Sequence, residues 1–552
     1  MTHVTTEHGT LDGAVEDGLH VFRAVPYAAP PFGPRRFLPP RPPEKWDGVR
    51  DATRAGVIAP QPVTPDDPLA PLFAPTAATP MGEDCLTLEV WTPDPGAAGL
   101  PVVVHIHGGG YLSGSGSFAG YSGRAFARDG VVHVGINYRV GIDGFLHLGD
   151  GHDNLGLRDQ QAALEWVRRN IAAFGGDPDR VTILGQSGGA VSVMSQLTMP
   201  GSRGLFARAV AQSGCSMASV DADEATRVTR MAARRLGVPA TPEGFASVSL
   251  ERTAATAQWL MVRFVLGFAR GDARSLLLSP FRAVHGTELL PSSPVDAAAA
   301  SDVPLLAGTV RNETVGFIDA LRAIPVLGAL ALRGLRRTVG LDRALADAYR
   351  TGRGLTDRVG LAEAAWSDWG FRIPTIRLVE ARTAPSWLYE FRWESTAGRP
   401  GLSSFHGVEI PFTRDDLALV EQLPPGDPRA VRGRARRPGH LHARGVGGLR
   451  DHRRSRLARL RHRQAVDDGL RHDARGGRRR RRCRTRGVAG APLTGPLWTV
   501  RGGGSACVTG GTVAGGIVRE AVSEQDCRCR RSVGTSTSRG PIPCARAHCP
   551  WR

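Results

Sequence analysis

Residues 182–191 read TILGQSGGAV and place one serine, Ser187, among small residues directly after an apolar run. The strand-like RVTILG before it and the helix-compatible AVSVMSQL after it predict a strand that turns sharply into a helix. Side chains would clash where the backbone is so close on both sides of a turn, which accounts for Gly185, Gly188 and Gly189. The pattern matches the G-x-S-x-G nucleophile elbow, and an ordinary glycine-rich turn is the alternative that the motif alone leaves open.

Strands and helices alternate on both sides of this turn. LPVVVHIHGGG and VVHVGINYR are apolar runs of strand length, LRDQQAALEWVRRNIAAF has helical periodicity, and DVPLLAGTV and SWLYEFRW predict two later strands. Such alternation predicts an α/β fold with a central, mostly parallel sheet and helices on both faces. Functional residues are then expected in the loops at the strand ends.

The composition changes near residue 430. Residues 431–552 contain 29 Arg and 7 acidic residues, whereas residues 1–430 contain 41 basic and 45 acidic residues. Six of the eight cysteines lie in the second part, so the first part, with Cys85 and Cys215, has no disulfide framework. The Arg- and Gly-rich second part has no sustained apolar periodicity, which predicts a disordered tail after the folded domain.

The serine of an elbow needs chemical partners to act as a nucleophile. A histidine must accept its proton, a carboxylate must orient that histidine, and backbone N–H groups must bind the oxyanion. HIHGGGY, at the end of a predicted strand, can supply such N–H groups. A phosphate-binding loop is the competing interpretation of these glycines, but no G-K-[ST] follows them.

A series of motifs resembles the type-B carboxylesterases, the α/β-hydrolases that include para-nitrobenzyl esterases and cholinesterases. The matching stretches lie in family order within residues 5–415: FRAVPYAAPPFGPRRF, GEDCLTLEVWTP, HGGGY, NYRVGIDGFL, NLGLRDQQAALEWVRRNIAAFGGDP, GQSGGA, AQSG and HGVEIPF. The resemblance implies an α/β-hydrolase fold for residues 1–430 and the hydrolysis of carboxylic esters.

The resemblance also assigns a catalytic triad and an oxyanion hole, in the chain order Ser, Glu, His of the α/β-hydrolases. The acid comes from GTVRNETVGF and the histidine from HGVEIPF. The residues are the nucleophile Ser187, the acid Glu313, the base His406, and the oxyanion donors Gly109, Gly110 and Gly188.

Three further residues could be mistaken for catalytic residues or could support them. His285 in HGTELLP imitates the loop of His406, but the family has an aspartate there, so a structural or solvated role is expected. His107 is expected to hydrogen-bond to the backbone rather than to carry protons. Ser213 in AQSG either supports the triad from behind or caps a turn.

Two positions depart from the family pattern. The family often pairs the cysteine of EDCL with an earlier one, but Ala59 stands at that earlier position, so Cys85 is expected to be a free thiol. Thr314 replaces the glycine that usually follows the acid. This second difference concerns the loop geometry around Glu313 rather than the identity of the acid.

The segment that should follow His406 is missing. The family continues with motifs similar to W-x-x-F-A-x-T-G-D-P and W-P-x-Y-D. Suppose that the gene is read one base later, so that each new codon takes the last two bases of one codon and the first base of the next. The bases that encode VGGLRDHRRSRLARLRH at residues 446–462 can then encode W-V-A-F-A-T-T-G-D-P-G-W-P-A-Y-D. We therefore interpret residues 431–552 as a frameshifted translation. Shifting the frame of a GC-rich gene turns many codons into CGN or GGN, which encode arginine and glycine. The competing interpretation takes RRRRR at residues 478–482 as an arm for nucleic acid or an anionic surface.

These features predict a serine carboxylester hydrolase that cleaves a small-molecule ester through an acyl-enzyme on Ser187, without metal or cofactor. The alternatives are a non-catalytic cholinesterase-like binding protein and an inactive product of a frameshifted gene. We expect a monomer with no nucleic-acid or membrane partner and, because MTHVTTEHGT lacks a signal-peptide pattern, a cytoplasmic location. Substrate preference stays open, because variable stretches near residues 60–80, 255–275 and 318–340 are expected to line the pocket.

Overall fold

The structure is a computed structural model of the chain. It describes residues 2–63, 74–149, 151–214, 219–267, 279–317, 333–393 and 404–421, and four short strands between residues 499 and 520. Much of each stretch that is predicted to line the substrate pocket therefore lies outside the described residues. None of the helices in these ranges combines the length and the apolar character that a membrane crossing requires.

The described residues form seventeen strands and twelve α-helices. The strands are β1 (Thr2–Thr5), β2 (Thr10–Glu16), β3 (Leu19–Pro26), β4 (Val49–Asp51), β5 (Thr87–Thr92), β6 (Leu100–Ile106), β7 (Val132–Ile136), β8 (Gly176–Gln186), β9 (Arg208–Gln212), β10 (Ser219–Val220), β11 (Ala283–Val284), β12 (Leu305–Val310), β13 (Ser386–Phe391), β14 (Thr499–Arg501), β15 (Cys507–Thr509), β16 (Gly511–Ala514) and β17 (Ile517–Glu520). The helices are α1 (Arg124–Arg128), α2 (Gly141–Phe145), α3 (Leu155–Asn170), α4 (Gly188–Gln196), α5 (Ala222–Leu236), α6 (Pro242–Ala246), α7 (Leu250–Leu266), α8 (Arg343–Arg353), α9 (Arg358–Ser367), α10 (Ile373–Glu380), α11 (Ile410–Thr413) and α12 (Ala418–Glu421).

One large sheet holds every described strand except β10 and β11, which pair with each other. Its main order is β1-β2-β3-β5-β7-β6-β8-β9-β12-β13-β14-β15, while β4 pairs with β2 and β16 pairs with both β13 and β17. Neighbours from β1 to β7 are antiparallel, and neighbours from β7 to β14 are parallel. The mostly parallel α/β sheet predicted from the sequence is confirmed.

The central strands are covered on both faces. All five residues of β7 are buried, and so are the alternating Val102, Val104 and Ile106 of β6. A strand that is buried on both faces is typical of a parallel sheet with helices on each side. The apolar runs that predicted these strands thus form the core of the molecule.

A buried ion pair ties the loop after β7 to α3. The Arg139 guanidinium lies 2.7 Å from Asp159, and both side chains are almost fully buried. The backbone N–H of Arg139 also donates to the same carboxylate at 3.0 Å. Removing one partner would leave an unpaired buried charge, so the pair fixes this loop relative to the helix.

The strand register brings the candidate site to one edge of the sheet. Gln186, the last residue of β8, pairs in parallel with Gln212, the last residue of β9. On the other side of β9, β12 runs parallel and ends at Val310, three residues before Glu313. The loops that carry Ser187 and Glu313 therefore leave the sheet at its carboxyl edge, where ligands bind in open parallel sheets.

Four short strands are the part of the tail that the structure describes. β14 pairs in parallel with β13, and β16 pairs with it in an antiparallel sense. In these four segments the chain is extended. The other tail residues, including 446–462 and 478–482, lie outside the described residues, so the frameshift interpretation stays a prediction.

Candidate active site

Ser187 occupies a strained turn between β8 and α4. Its backbone has φ 57° and ψ −124°, a combination that residues with a side chain rarely adopt. A Cβ on Gly185 would lie 2.2 Å from the carbonyl oxygen of Gly189, and a Cβ on Gly189 would lie 2.0 Å from that of Ile106. Both positions thus require glycine, and the geometry is that of a nucleophile elbow.

Neighbouring backbone groups hold the elbow in place. The N–H of Ser187 donates to the carbonyl of Gln212 at 2.9 Å, and its carbonyl accepts from Val191 at 3.0 Å within α4. Gly188 is the first residue of α4, whose nine residues direct the positive end of a helix dipole toward the turn. The serine hydroxyl is therefore placed where developing negative charge is stabilised.

The loop after β6 runs beside the elbow. A Cβ on Gly188 would lie 3.0 Å from the backbone nitrogen of Gly110, so the two backbones are in contact. The N–H groups of Gly109 and Gly110 donate to no acceptor among the described residues. The structure thus brings the backbones of Gly110 and Gly188 together and leaves the N–H groups of Gly109 and Gly110 free to bind an oxyanion.

Buried polar contacts support this loop. The hydroxyl of Tyr138 donates to the carbonyl of His107 at 2.8 Å, and the N–H of Gly141 donates to the carbonyl of Tyr111 at 2.6 Å. His107 Nδ1 lies 2.8 Å from the carbonyl of Gly108, and burial lowers the pKa of His107 to about 4. The prediction that His107 hydrogen-bonds to the backbone is confirmed.

Glu313 and His406 form a hydrogen-bonded pair. Glu313 is completely buried, its Oε1 accepts from the N–H of Val310 at 2.9 Å, and its Oε2 lies 2.6 Å from His406 Nδ1. A carboxylate only accepts hydrogen bonds, so Nδ1 carries the proton and Nε2 has the lone pair. Burial lowers the pKa of His406, but the hydrogen bond and charge of Glu313, with the charge of Glu409, outweigh it and raise that pKa overall.

The lone pair of His406 faces the residue that precedes the serine. Gln186 Nε2 lies 3.4 Å from His406 Nε2 and donates to it. The Ser187 hydroxyl forms no hydrogen bond with any residue in the described ranges. The structure therefore brings His406 to the elbow, where it is hydrogen-bonded to Gln186 and not to Ser187. Catalytic hydrogen bonds are often completed only when substrate is bound.

Two residues near His406 were not among the predicted site residues. Gln186 is the first, and Glu409, which follows His406 by three residues in the same motif, is the second. Ser213 donates to Glu409 Oε1 at 3.1 Å, so its hydroxyl binds the segment that carries His406. Burial, and then the charge of Glu313, raises the pKa of Glu409 to about 7. The single acidic residue among apolar residues in HGVEIPF was the sequence signal that could have identified Glu409 as a site residue.

The remaining candidates lie elsewhere. His285 follows β11 in the small two-stranded sheet, where its N–H donates to the carbonyl of Val220 at 2.8 Å. Cys85 is a buried free thiol, as predicted, while Cys215 lies outside the described residues. Nowhere in the described ranges do three or more His, Cys, Asp or Glu side chains group to hold a metal ion.

Comparisons with known proteins agree with this geometry. Residues 1–424 match the carboxylesterase family. The chain is 36% identical over 438 residues to the para-nitrobenzyl esterase of Bacillus subtilis (strain 168), a match that covers 77% of this chain and 85% of the relative. It is also 36% identical over 435 residues to the phenmedipham hydrolase of Pseudarthrobacter oxydans, covering 76% of this chain and 83% of that protein.

Solved structures give the same result. A PNB esterase structure superposes with a TM-score of 0.62 at 33% identity, covering 76% of this chain and 88% of the other. Carboxylesterase EST55 of Geobacillus stearothermophilus at pH 6.2 gives a TM-score of 0.62 at 33% identity, covering 76% and 84%. The family match and these relatives show that the chain belongs to the carboxylesterase family, as a type-B carboxylesterase with an α/β-hydrolase fold.

Proposed function

We propose that this protein is a serine carboxylester hydrolase that cleaves small esters through an acyl-enzyme on Ser187. The observation that carries the proposal is the 2.6 Å hydrogen bond between Glu313 Oε2 and His406 Nδ1. It fixes the tautomer of the imidazole and leaves its other nitrogen as a base next to the elbow.

Acylation begins at the serine. His406 Nε2 moves from Gln186 to Ser187, takes the hydroxyl proton, and Ser187 Oγ attacks the ester carbonyl carbon. The oxyanion accepts hydrogen bonds from Gly109, Gly110 and Gly188, and each such donor lowers the barrier by about 3 kcal/mol. The tetrahedral intermediate then expels the alcohol, which receives its proton from His406.

Deacylation repeats these roles with water. His406 takes a proton from a water molecule that attacks the acyl carbon, and the second tetrahedral intermediate releases the carboxylic acid and regenerates Ser187. The buried carboxylate of Glu313 stabilises the imidazolium that forms in both steps.

Aromatic rings beside His406 support apolar esters as substrates. The ring centroids of Phe371 and Phe317 lie 5.3 Å and 5.9 Å from that of His406. Phe317 is 36% exposed, so part of its ring is open to a bound molecule. Together with the names of the two relatives, this favours esters that carry a benzyl or other aromatic group.

Hydrolysis of 4-nitrophenyl acetate, butyrate and octanoate tests the proposal. Ser187→Ala and His406→Ala should each lower kcat by a factor on the order of 10⁴ with the fold retained, because each removes one member of a unit that acts together. His285→Ala is the matched control and should stay within about twofold of wild type, since half-buried His285 lies beside the small two-stranded sheet and not in the triad. A larger loss in His285→Ala than in His406→Ala would show that the base is assigned wrongly. A folded wild type that binds these esters without hydrolysing them would support the non-catalytic alternative.

A further inference from the structure

A buried carboxylate outside the triad contacts both chain neighbours of the proposed acid. Glu363 and Ser367 lie four residues apart on α9, a spacing that puts them on the same helix face. Both side chains are buried. The hydroxyl of Ser367 donates to Glu363 Oε1 at 2.7 Å, so the two form one polar unit beneath the loop of Glu313.

The residue before the acid is held on one side of this unit. Asn312 Nδ2 donates to Glu363 Oε2 at 2.8 Å. The backbone of Asn312 also pairs with Phe405 in an isolated bridge, and its N–H donates to the carbonyl of Ser404 at 2.9 Å. Asn312 therefore joins the loop of Glu313 to the loop of His406, and Glu363 fixes the side chain of Asn312.

The residue after the acid is held on the other side. Thr314 is completely buried, and its N–H donates to Ser367 Oγ at 3.2 Å. Its hydroxyl donates to the backbone carbonyl of Glu363 at 3.1 Å. The hydroxyl of this threonine thus has an acceptor on α9 that a glycine could not use, which explains how the loop accommodates it.

We infer that Glu363 is a positioning residue for the triad, because it holds Asn312 and Thr314 on α9 and so fixes Glu313 between them. The inference rests on the proposed function of Ser187, Glu313 and His406. Glu363 does not contact the reacting atoms. It acts by keeping Glu313 at hydrogen-bond distance from His406.

The inference is tested by measuring kcat and KM for a 4-nitrophenyl ester. Full-length wild type is compared with Glu363→Ala and Glu363→Gln. Alanine leaves Asn312 and Ser367 without their acceptor, and a displacement of the acid by a fraction of an ångström should lower kcat on the order of 10- to 100-fold with KM little changed. Glutamine keeps an oxygen for Asn312 and an amide for Ser367, so it should restore kcat to within about threefold.

A pH profile separates positioning from a general loss of stability. When Glu313 is displaced, the hydrogen bond that raises the pKa of His406 weakens, so the acid limb of kcat in Glu363→Ala should move to lower pH. Destabilisation alone reduces the folded fraction, measured by circular dichroism, without moving this limb. Glu224→Ala on α5 is the control, since the carboxylate of Glu224 pairs with buried Arg282 at 2.6 Å rather than with either catalytic loop. It should leave kcat per folded molecule unchanged.

If Glu363→Ala does not fold, Asn312→Ala and Thr314→Val replace it and should show the same shift of the acid limb with a smaller loss of kcat. An unchanged kcat and an unchanged limb in the folded variants would overturn the inference, and so would equal losses in Glu363→Ala and Glu363→Gln. A wild type without Ser187-dependent hydrolysis would instead refute the proposed function, so the two failures are distinguishable.

Discussion

Gly189→Ala tests the physical reason for the elbow. The added methyl carbon would lie 2.0 Å from the carbonyl oxygen of Ile106 and 2.8 Å from that of His107. Non-bonded atoms of this size settle at about 3.5 Å, so α4 and the end of β6 must separate by about 1.5 Å. Overpacking of this kind lowers the free energy of unfolding by about 1–3 kcal/mol. It also moves Ser187 away from the oxyanion donors, and a misplacement of about 1 Å costs on the order of 100-fold in rate.

The assay is kcat/KM for a 4-nitrophenyl ester, together with a urea unfolding curve. Gly316→Ala is the matched control, because Gly316 is exposed, lies in the same part of the molecule as Glu313, and a Cβ there would meet no atom within 4 Å. It should change neither quantity appreciably. Wild-type kcat/KM in Gly189→Ala, or equal losses in both variants, would refute the steric argument for the elbow.

Three further predictions follow from the site and the sequence. Only neutral His406 accepts a proton, and its pKa is raised, so kcat/KM should fall on acidification with a midpoint above about 6.5, the ordinary histidine pKa. A midpoint below that value would contradict the pairing of His406 with Glu313. Cys85 is buried, and burial raises the pKa of its thiol, so iodoacetamide should label it only after the protein is unfolded, with no reducing agent needed. A disulfide at Cys85 in peptide mapping would disprove the prediction of a free thiol. A chain whose residues from 436 onward are translated in the shifted frame should be more soluble and should hydrolyse esters faster. If resequencing confirms the DNA at codons 425–445 and the chain as written is well folded and active, the tail is a real appendage.

The sequence predicted those parts of the site that depend on local geometry. The small residues that the turn at Ser187 requires lie within five consecutive positions, so the motif alone predicts the turn. The strands before Ser187 and Glu313 are also visible in the sequence, as apolar runs of the right length. The helix predicted over LRDQQAALEWVRRNIAAF forms as α3, which ends at Asn170 and continues as a tighter turn to Phe174.

Contacts between distant residues could not be predicted in the same way. Gln186 meets His406 across 220 positions, and Glu363 meets Asn312 across 51, so neither pair leaves a periodic or spacing signal in the sequence. These contacts exist because parallel strands bring their loops to one edge of the sheet, and that arrangement becomes visible only when the chain is folded. Glu409 is different, because its place in the motif of His406 was available from the sequence.

Covalent labelling of the nucleophile identifies the catalytic serine. The protein is incubated with diethyl 4-nitrophenyl phosphate, digested with trypsin, and the peptide of residues 181–203 is fragmented in a mass spectrometer. We expect one diethylphosphoryl group per chain, on Ser187 rather than on Ser192, Ser195 or Ser202, with ester hydrolysis lost in proportion to labelling. We expect no adduct in Ser187→Ala. Full hydrolysis by a chain phosphorylated at Ser187, or inactivation with the adduct on another residue, would contradict the assignment of the nucleophile.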